Sequence, residues 1–174
     1  MKYYLFLALL LISMNATAQS DFDRSIDSEN NAVVFKGQLV FDDLSKESSF
    51  DWFAKNATAY HPQKEAIAFL KKELAAYELV IFLGTWCDDS HQLIPKLYAT
   101  LQAAQYPTSQ YKMYGVDRAK TTKYIEHQLY QIAFVPTIIV YKNNQEVGRI
   151  VEATRMSIEE DLAAILQKEI SASK

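Results

Sequence analysis

The chain carries a single cysteine, Cys87, in 174 residues. One thiol excludes an internal disulfide framework and any cysteine-rich zinc site. Histidine is scarce too, with three residues at positions 61, 91 and 127. That argues against a haem or a multi-histidine centre, so neither a metal nor a cofactor is implied. There is no basic excess: 18 Lys and Arg face 21 Asp and Glu, a formal net charge of −3. A protein that neutralises a phosphate backbone needs the opposite balance, and nucleic acid is not an expected partner. Repeats and low-complexity tracts are missing. What is present is ordinary for a globular chain, 49% hydrophobic and 22% charged residues, which rules out wholesale disorder and fits one domain.

Residues 1–18 read as a signal peptide. Lys2 precedes an apolar run over 3–12, and Ala16-Thr17-Ala18 supplies an A-x-A cleavage pattern, so the mature chain is expected to begin at Gln19. The apolar run falls well short of the roughly twenty residues of a spanning helix. No cysteine follows the small residues to take a lipid. The expectation is an exported product, periplasmic or secreted, soluble and with no membrane anchor after cleavage.

Residues 20–31 are polar and acidic and read as a mobile leader. Residues 33–41 suggest a strand or hairpin, with Gly37 as turn or bulge. Residues 45–59 form a short amphipathic segment with Phe50, Trp52 and Phe53. After His61-Pro62, Ile67, Leu70, Leu74 and Tyr77 recur at helical spacing. Residues 78–83, Glu-Leu-Val-Ile-Phe-Leu, resemble a strand buried on both faces. A helix with Leu93, Ile94, Leu97, Tyr98 and Leu101 inside follows. Then come a strand over 111–116, a helix-compatible polar stretch over 120–131, and a hairpin of 138–141 with 146–151 around Asn143-Asn144. Ser157-Ile158-Glu159-Glu160 is a capping box opening a last helix. The order is that of an α/β fold with a late antiparallel hairpin.

The chemistry lies in Gly84-Thr85-Trp86-Cys87-Asp88-Asp89-Ser90. Cys87 falls between a buried strand and a helix, where unsatisfied N–H groups and the helix dipole stabilise a thiolate. The alternative is a structural cysteine serving as a small hydrophobe. Ser90 either hydrogen-bonds that thiolate from the next turn or caps the helix start. Asp88 and Asp89 suit a helix N-terminus but set negative charge beside the sulfur. His91, four residues after Cys87, either faces the sulfur to trade a proton or is solvated.

From residue 79 to 151 the chain resembles the thioredoxin superfamily. Trp86-Cys87 follows a strand, as the nucleophilic cysteine follows a tryptophan in that family. Pro95, eight residues after Cys87, matches the family's helix-kinking proline. Val135-Pro136-Thr137 matches its cis-proline loop. Together with Gly148-Arg149-Ile150-Val151-Glu152, the motif is similar to that of a group of small exported bacterial thioredoxin-like proteins. The resemblance implies a thioredoxin-like domain over 61–174, a central mixed sheet flanked by helices, with residues 19–60 as an N-terminal extension. It also implies that Trp86, Val135, Pro136 and Thr137 contact an extended substrate segment, with Pro136 cis.

Two departures shape the expected chemistry. The family's second cysteine is Ser90, and its buried acid, six residues before the nucleophile, is Ile81. A hydroxyl cannot form a disulfide, so a self-contained dithiol cycle is excluded for this monomer. Peroxiredoxin chemistry does not fit, because Gly84 stands where its threonine is required. The expectation is monothiol thiol–disulfide exchange at Cys87, of isomerase or deglutathionylation type. Its partners would be protein or peptide thiols and disulfides and glutathione-like small thiols. The competing reading is a redox-inactive peptide-binding or chaperone-like module on the same scaffold.

Overall fold

The computed structural model describes residues 20–172, so the signal-peptide reading of 1–18 lies outside the described residues. Six strands form one sheet in the order β1-β2-β4-β3-β5-β6. The strands are β1 (Asp21–Ile26), β2 (Val33–Leu39), β3 (Glu78–Leu83), β4 (Tyr111–Gly115), β5 (Thr137–Lys142) and β6 (Gln145–Val151). Only β3 and β4 run parallel; every other neighbouring pair is antiparallel. The helices are α1 (Phe41–Lys46), α2 (Asp51–Ala59), α3 (Lys64–Glu73), α4 (Asp88–Ala103), α5 (Glu126–Leu129) and α6 (Ile158–Ala172). None of the described helices is long and apolar enough to cross a membrane.

Strand β3 sits in the middle of the sheet, and its alternation divides the core in two. Leu79, Ile81 and Leu83 join Leu70, Ile94, Leu97, Leu162 and Leu166 under the long helices. Val80 and Phe82 point the other way, to Tyr114, Val116, Val135 and Ile139. The near-continuous apolar run therefore reflects burial on both faces, as its composition suggested. Half of the expected capping box of α6 forms: the serine caps the helix, while the Glu160 carboxylate takes the serine hydroxyl rather than its backbone N–H. Ser157 Oγ accepts the Glu160 N–H at 3.3 Å and lies 2.7 Å from Glu160 Oε2.

Two expectations are corrected. The supposed mobile leader contains β1, which pairs with β2 from Asp21↔Gln38 to Ile26↔Val33. The hairpin is thus β1–β2, turned at Asp27, whose Oδ1 accepts the N–H groups of Glu29 and Asn30. Phe22 stacks against Phe35 at 4.3 Å, while most other β1 side chains are exposed, which is why the strand lacks a hydrophobic pattern. Gly37 lies within β2 rather than in a turn, at φ +131, where an added Cβ would stand 2.3 Å from the Asp21 carbonyl oxygen.

The second correction concerns 120–131, where the described structure has only the short helix α5. Polar side chains capture the backbone before a longer helix can start. Asp117 Oδ1 accepts the Thr121 N–H at 2.9 Å, Lys120 adopts φ +59, and Thr122 Oγ1 meets Glu126 Oε2 at 2.8 Å. The segment between β4 and β5 instead lays Tyr130 and Ile132 over the Val80–Phe82 face.

Candidate functional site

Strands β3 and β4 are parallel, so the loops leaving their C-terminal ends converge at one edge of the sheet. The first of these loops leads through Trp86 to Cys87. Cys87 is the N-cap of α4, with φ −102 and ψ 124, and its backbone N–H bonds the Gly84 carbonyl at 3.0 Å. Its side chain makes no hydrogen bond to the first turn of α4. Cys87 is a free cysteine and is partly exposed as a residue. Its Sγ donates toward the Val135 carbonyl oxygen at 3.6 Å. That contact brings Cys87 and the 135–137 loop together from 48 residues apart, and the Val135–Pro136 peptide is cis. Thr137 opens β5 and ties the loop back through its Oγ1, which donates to the Phe134 carbonyl at 2.7 Å.

Trp86 is held on three sides. Its Nε1 donates to the Val116 carbonyl at 2.8 Å, Gly84 packs beneath the indole, and the Arg118 guanidinium stands 4.9 Å above the ring centroid. The remaining motif residues take roles that differ from those read off the sequence. Ser90 is fully buried, and its Oγ accepts the Gly84 N–H at 3.2 Å. That bond closes the strand-to-helix loop; it neither caps α4, whose N-cap is Cys87, nor reaches the sulfur. His91 neither faces the sulfur nor floats in solvent. Its ring stacks on Trp52 at 4.2 Å, and its Nε2 lies 2.8 Å from the Thr85 carbonyl oxygen, which requires Nε2–H as donor. Asn56 Nδ2 donates to the His91 carbonyl at 2.9 Å. Asp88 and Asp89 stand exposed on the first turn, with Asp88 Oδ1 3.8 Å from His91 Nδ1. Pro95 is buried inside α4, and Ile81 lies fully buried in the helix-side core.

Sequence reasoning missed the groups that reach the site from a distance. Arg118 Nε donates to Asp27 Oδ2 at 2.7 Å and its Nη1 lies 3.0 Å from Glu29 Oε2. The hydrogen bond from Arg118 holds the Asp27 carboxyl below the usual aspartate range. Thr85 Oγ1 accepts the Phe35 N–H at 3.0 Å and donates to the Val33 carbonyl at 2.8 Å, which fastens the loop to β2. Lys36 pairs with Asp117, one residue before Arg118. The available signal was positional: Asp117-Arg118 follows a strand parallel to the one that delivers Cys87. Among the described residues no group of three His, Cys, Asp or Glu side chains converges as a metal site.

The family model for thioredoxin matches residues 63–168. The chain belongs to the thioredoxin family. It is 31% identical over 83 residues to a thioredoxin of Echinococcus granulosus, covering 48% of this chain and 72% of that protein. It is 27% identical over 86 residues to thioredoxin-1 of Saccharomyces cerevisiae, covering 49% and 78% respectively. A crystal structure of a protein of unknown function from Pseudomonas aeruginosa superposes with a TM-score of 0.54 at 12% identity, over 80% of this chain and 94% of that one. That likeness concerns fold alone. The thioredoxin match begins after α2, so β1, β2, Trp52 and Asn56, all of which touch the site's supports, lie outside it.

Proposed function

We propose that the protein is a monothiol thiol–disulfide exchange protein that uses Cys87 as its nucleophile. The observation that carries this reading is the pairing of a partly exposed cysteine at the N-cap of α4 with the cis-proline loop, its sulfur 3.6 Å from the Val135 carbonyl. The Cys87 thiolate attacks one sulfur of a client disulfide. An S–S bond forms between Cys87 and that sulfur, the client's S–S bond breaks, and the second client sulfur leaves as a thiolate. Release requires a second thiol, because Ser90 cannot supply one. In one route a different client thiolate attacks the client sulfur of the mixed disulfide, which forms a new client disulfide, frees the Cys87 thiolate and isomerises the client with no net redox change. In the other a small thiolate of the glutathione type attacks that sulfur, which forms a client–glutathione mixed disulfide and frees the Cys87 thiolate.

Substrate contact falls on Trp86, Val135, Pro136 and Thr137. An extended client segment would meet the site beside Cys87, where the sulfur lies 3.6 Å from the Val135 carbonyl oxygen. Exposed Phe134 next to it also supports the second reading, a peptide-docking module in which Cys87 is not used. The signal-like residues 1–18 support action outside the cytoplasm, periplasmic or secreted. The deciding experiment incubates the protein with glutathione disulfide and weighs it. The exchange reading expects a glutathione adduct on Cys87, removed by excess reduced thiol and absent in Cys87→Ala. Peptide binding that survives in Cys87→Ala, without any adduct in the parent protein, favours the docking module and overturns the exchange reading.

A further inference from the structure

The loop that delivers Cys87 is held from two directions, and both lead back to residues that precede the thioredoxin match. The Thr85 side chain is tied to β2, where it accepts the Phe35 N–H at 3.0 Å and donates to the Val33 carbonyl at 2.8 Å. The Thr85 carbonyl is held by His91, whose Nε2 stands 2.8 Å away. His91 also touches Cys87 itself. Its backbone N–H donates to the Cys87 carbonyl at 3.0 Å, the first intrahelical bond of α4. One residue thus grips the chain on both sides of Trp86, at 85 and at 87. The ring that does so is fixed in turn by α2. Trp52 stacks on it with centroids 4.2 Å apart and planes 17° from parallel, and Asn56 Nδ2 donates to the His91 carbonyl at 2.9 Å. The other ring nitrogen, Nδ1, lies 3.8 Å from Asp88 Oδ1, beyond hydrogen-bond reach. A carbonyl accepts only from an N–H, so the neutral ring carries its proton on Nε2.

We propose that His91 is a positioning residue for Cys87, and that Trp52 and Asn56 of α2 make the N-terminal region part of the reactive site by fixing the His91 ring and backbone. This deepens the reading of Cys87 as nucleophile and rests on it. Helix ends fray, and the first turn of a helix favours a thiolate only while that turn is formed beside the sulfur. The imidazole pins the chain two residues before Cys87 to the turn that follows it, which keeps Cys87 at the helix start with its Sγ 3.6 Å from the Val135 carbonyl. A ring already immobilised by its stack on an indole holds that carbonyl without losing further freedom. His91 therefore acts through the loop backbone, from the far side of the loop, and exchanges no proton with the sulfur.

The test is the rate of Cys87 alkylation by iodoacetamide, an uncharged reagent, against pH. His91→Leu keeps apolar bulk against Trp52 and removes the donor. Its rate at pH 7, taken relative to its own high-pH plateau, is expected to fall by about 2- to 5-fold, the worth of a helix-terminus interaction. His91→Gln returns an N–H to the Thr85 carbonyl and restores most of that ratio. Trp52→Leu leaves the imidazole without its stack and falls between the two. A residue that only stabilised the fold would lower the unfolding midpoint and leave the ratio alone. An unchanged ratio in His91→Leu or in Trp52→Leu, or a His91→Gln variant no better than His91→Leu, overturns the proposal. The parent protein gives a second reading that needs no variant. Heteronuclear NMR of its imidazole nitrogens must show Nε2 protonated in the neutral ring, and the Nδ1–H tautomer overturns the proposal as well. Alkylation reports the thiol alone, so a protein that passes these tests yet forms no adduct with glutathione disulfide refutes the exchange reading and not the His91 assignment.

Discussion

Ser90 shows how one atom changes the chemistry open to this site. Its hydroxyl is buried and holds the Gly84 N–H, a bond that closes the loop from β3 to α4. Cys87 and Ser90 sit at i and i+3 across the start of α4, a separation that a disulfide can span at a helix N-terminus. In Ser90→Cys, mild oxidant is expected to remove both free thiols and form an 87–90 bridge; two thiols that persist in a thiol titration would refute that geometry. Substitution sacrifices a buried hydrogen bond worth about 1 kcal/mol, and Ile81, standing where the family carries a buried acid, limits the reductase activity gained. The acids of the first turn act more weakly. Because Asp88 projects fully into solvent, replacing Asp88 and Asp89 together by Asn is expected to speed alkylation of Cys87 at pH 7 by less than about threefold at low salt and negligibly at high salt. An unchanged or slower rate at low salt would show that these carboxylates do not govern the thiol.

At the scale of the elements, the site depends on close backbone approach at the end of β3. A Cβ on Gly84 would stand 2.8 Å from Trp86 Cε2 and 3.0 Å from Nε1. The indole would have to leave the Val116 carbonyl and slide from beneath Arg118. Gly84→Ala is therefore expected to destabilise the fold by about 1–3 kcal/mol. It should also shift tryptophan emission toward the solvent-exposed range. Equilibrium unfolding followed by fluorescence reads both, and a variant with the parent's midpoint and spectrum would show that the ring has room to move. The same logic holds Gly37 and Gly115 opposite each other in β2 and β4, where a Cβ on Gly115 would meet the Phe35 carbonyl oxygen at 2.1 Å. These glycines let the N-terminal hairpin close onto the thioredoxin sheet.

Across the whole molecule, carboxylates tie segments together, some within the N-terminal region and some between it and the rest. Glu47 is pulled from its ordinary 4.5 down to about 2, chiefly by the hydrogen bond from Arg24 and then by Ser49. Asp27 is lowered by Arg118, and Asp42 by Lys46. Glu159 joins three helices: it accepts the Gln63 N–H at 2.8 Å and the Tyr60 hydroxyl at 2.7 Å, and meets Thr100 Oγ1 at 3.4 Å. Burial alone would raise its pKa, but the hydrogen bonds prevail and lower it. Each of these folded-state values lies below its unfolded one. The stability they contribute is thus complete above the ordinary carboxylate range and is lost as pH falls through the folded values. Denaturant midpoints should be level from pH 7 to about 5 and drop toward pH 2. Glu47→Gln should flatten the part of that drop between 4.5 and about 2. Since the Arg24 side chain is half exposed, the contribution should shrink in salt. An acid limb identical in Glu47→Gln and the parent would show that the pair adds nothing.

The sequence by itself determined whatever depends on neighbours a few residues apart. The near-continuous apolar run of Glu78–Leu83 specifies a strand with two buried faces, the spacing of Leu93, Ile94, Leu97 and Leu101 specifies the inner face of α4, and Ser157 with Glu160 specifies the start of α6. Cys87 stands at the strand-to-helix junction that its flanking pattern requires. Tertiary structure decided the rest. Strand β1 exists because β2 offers its edge, and its own side chains are too exposed to advertise it. The stretch 120–131 reads as helix by composition, yet Asp117 and Thr122 draw its backbone into turns that lay Tyr130 on the sheet. His91 and Ser90 have partners that helical spacing does not reveal, Trp52 on another helix and Gly84 behind the loop. Arg118 reaches Asp27 across 91 residues. A salt bridge between chain-distant groups leaves no local periodicity, so only the folding of the hairpin onto β4 brings Asp27 to the cation that covers Trp86.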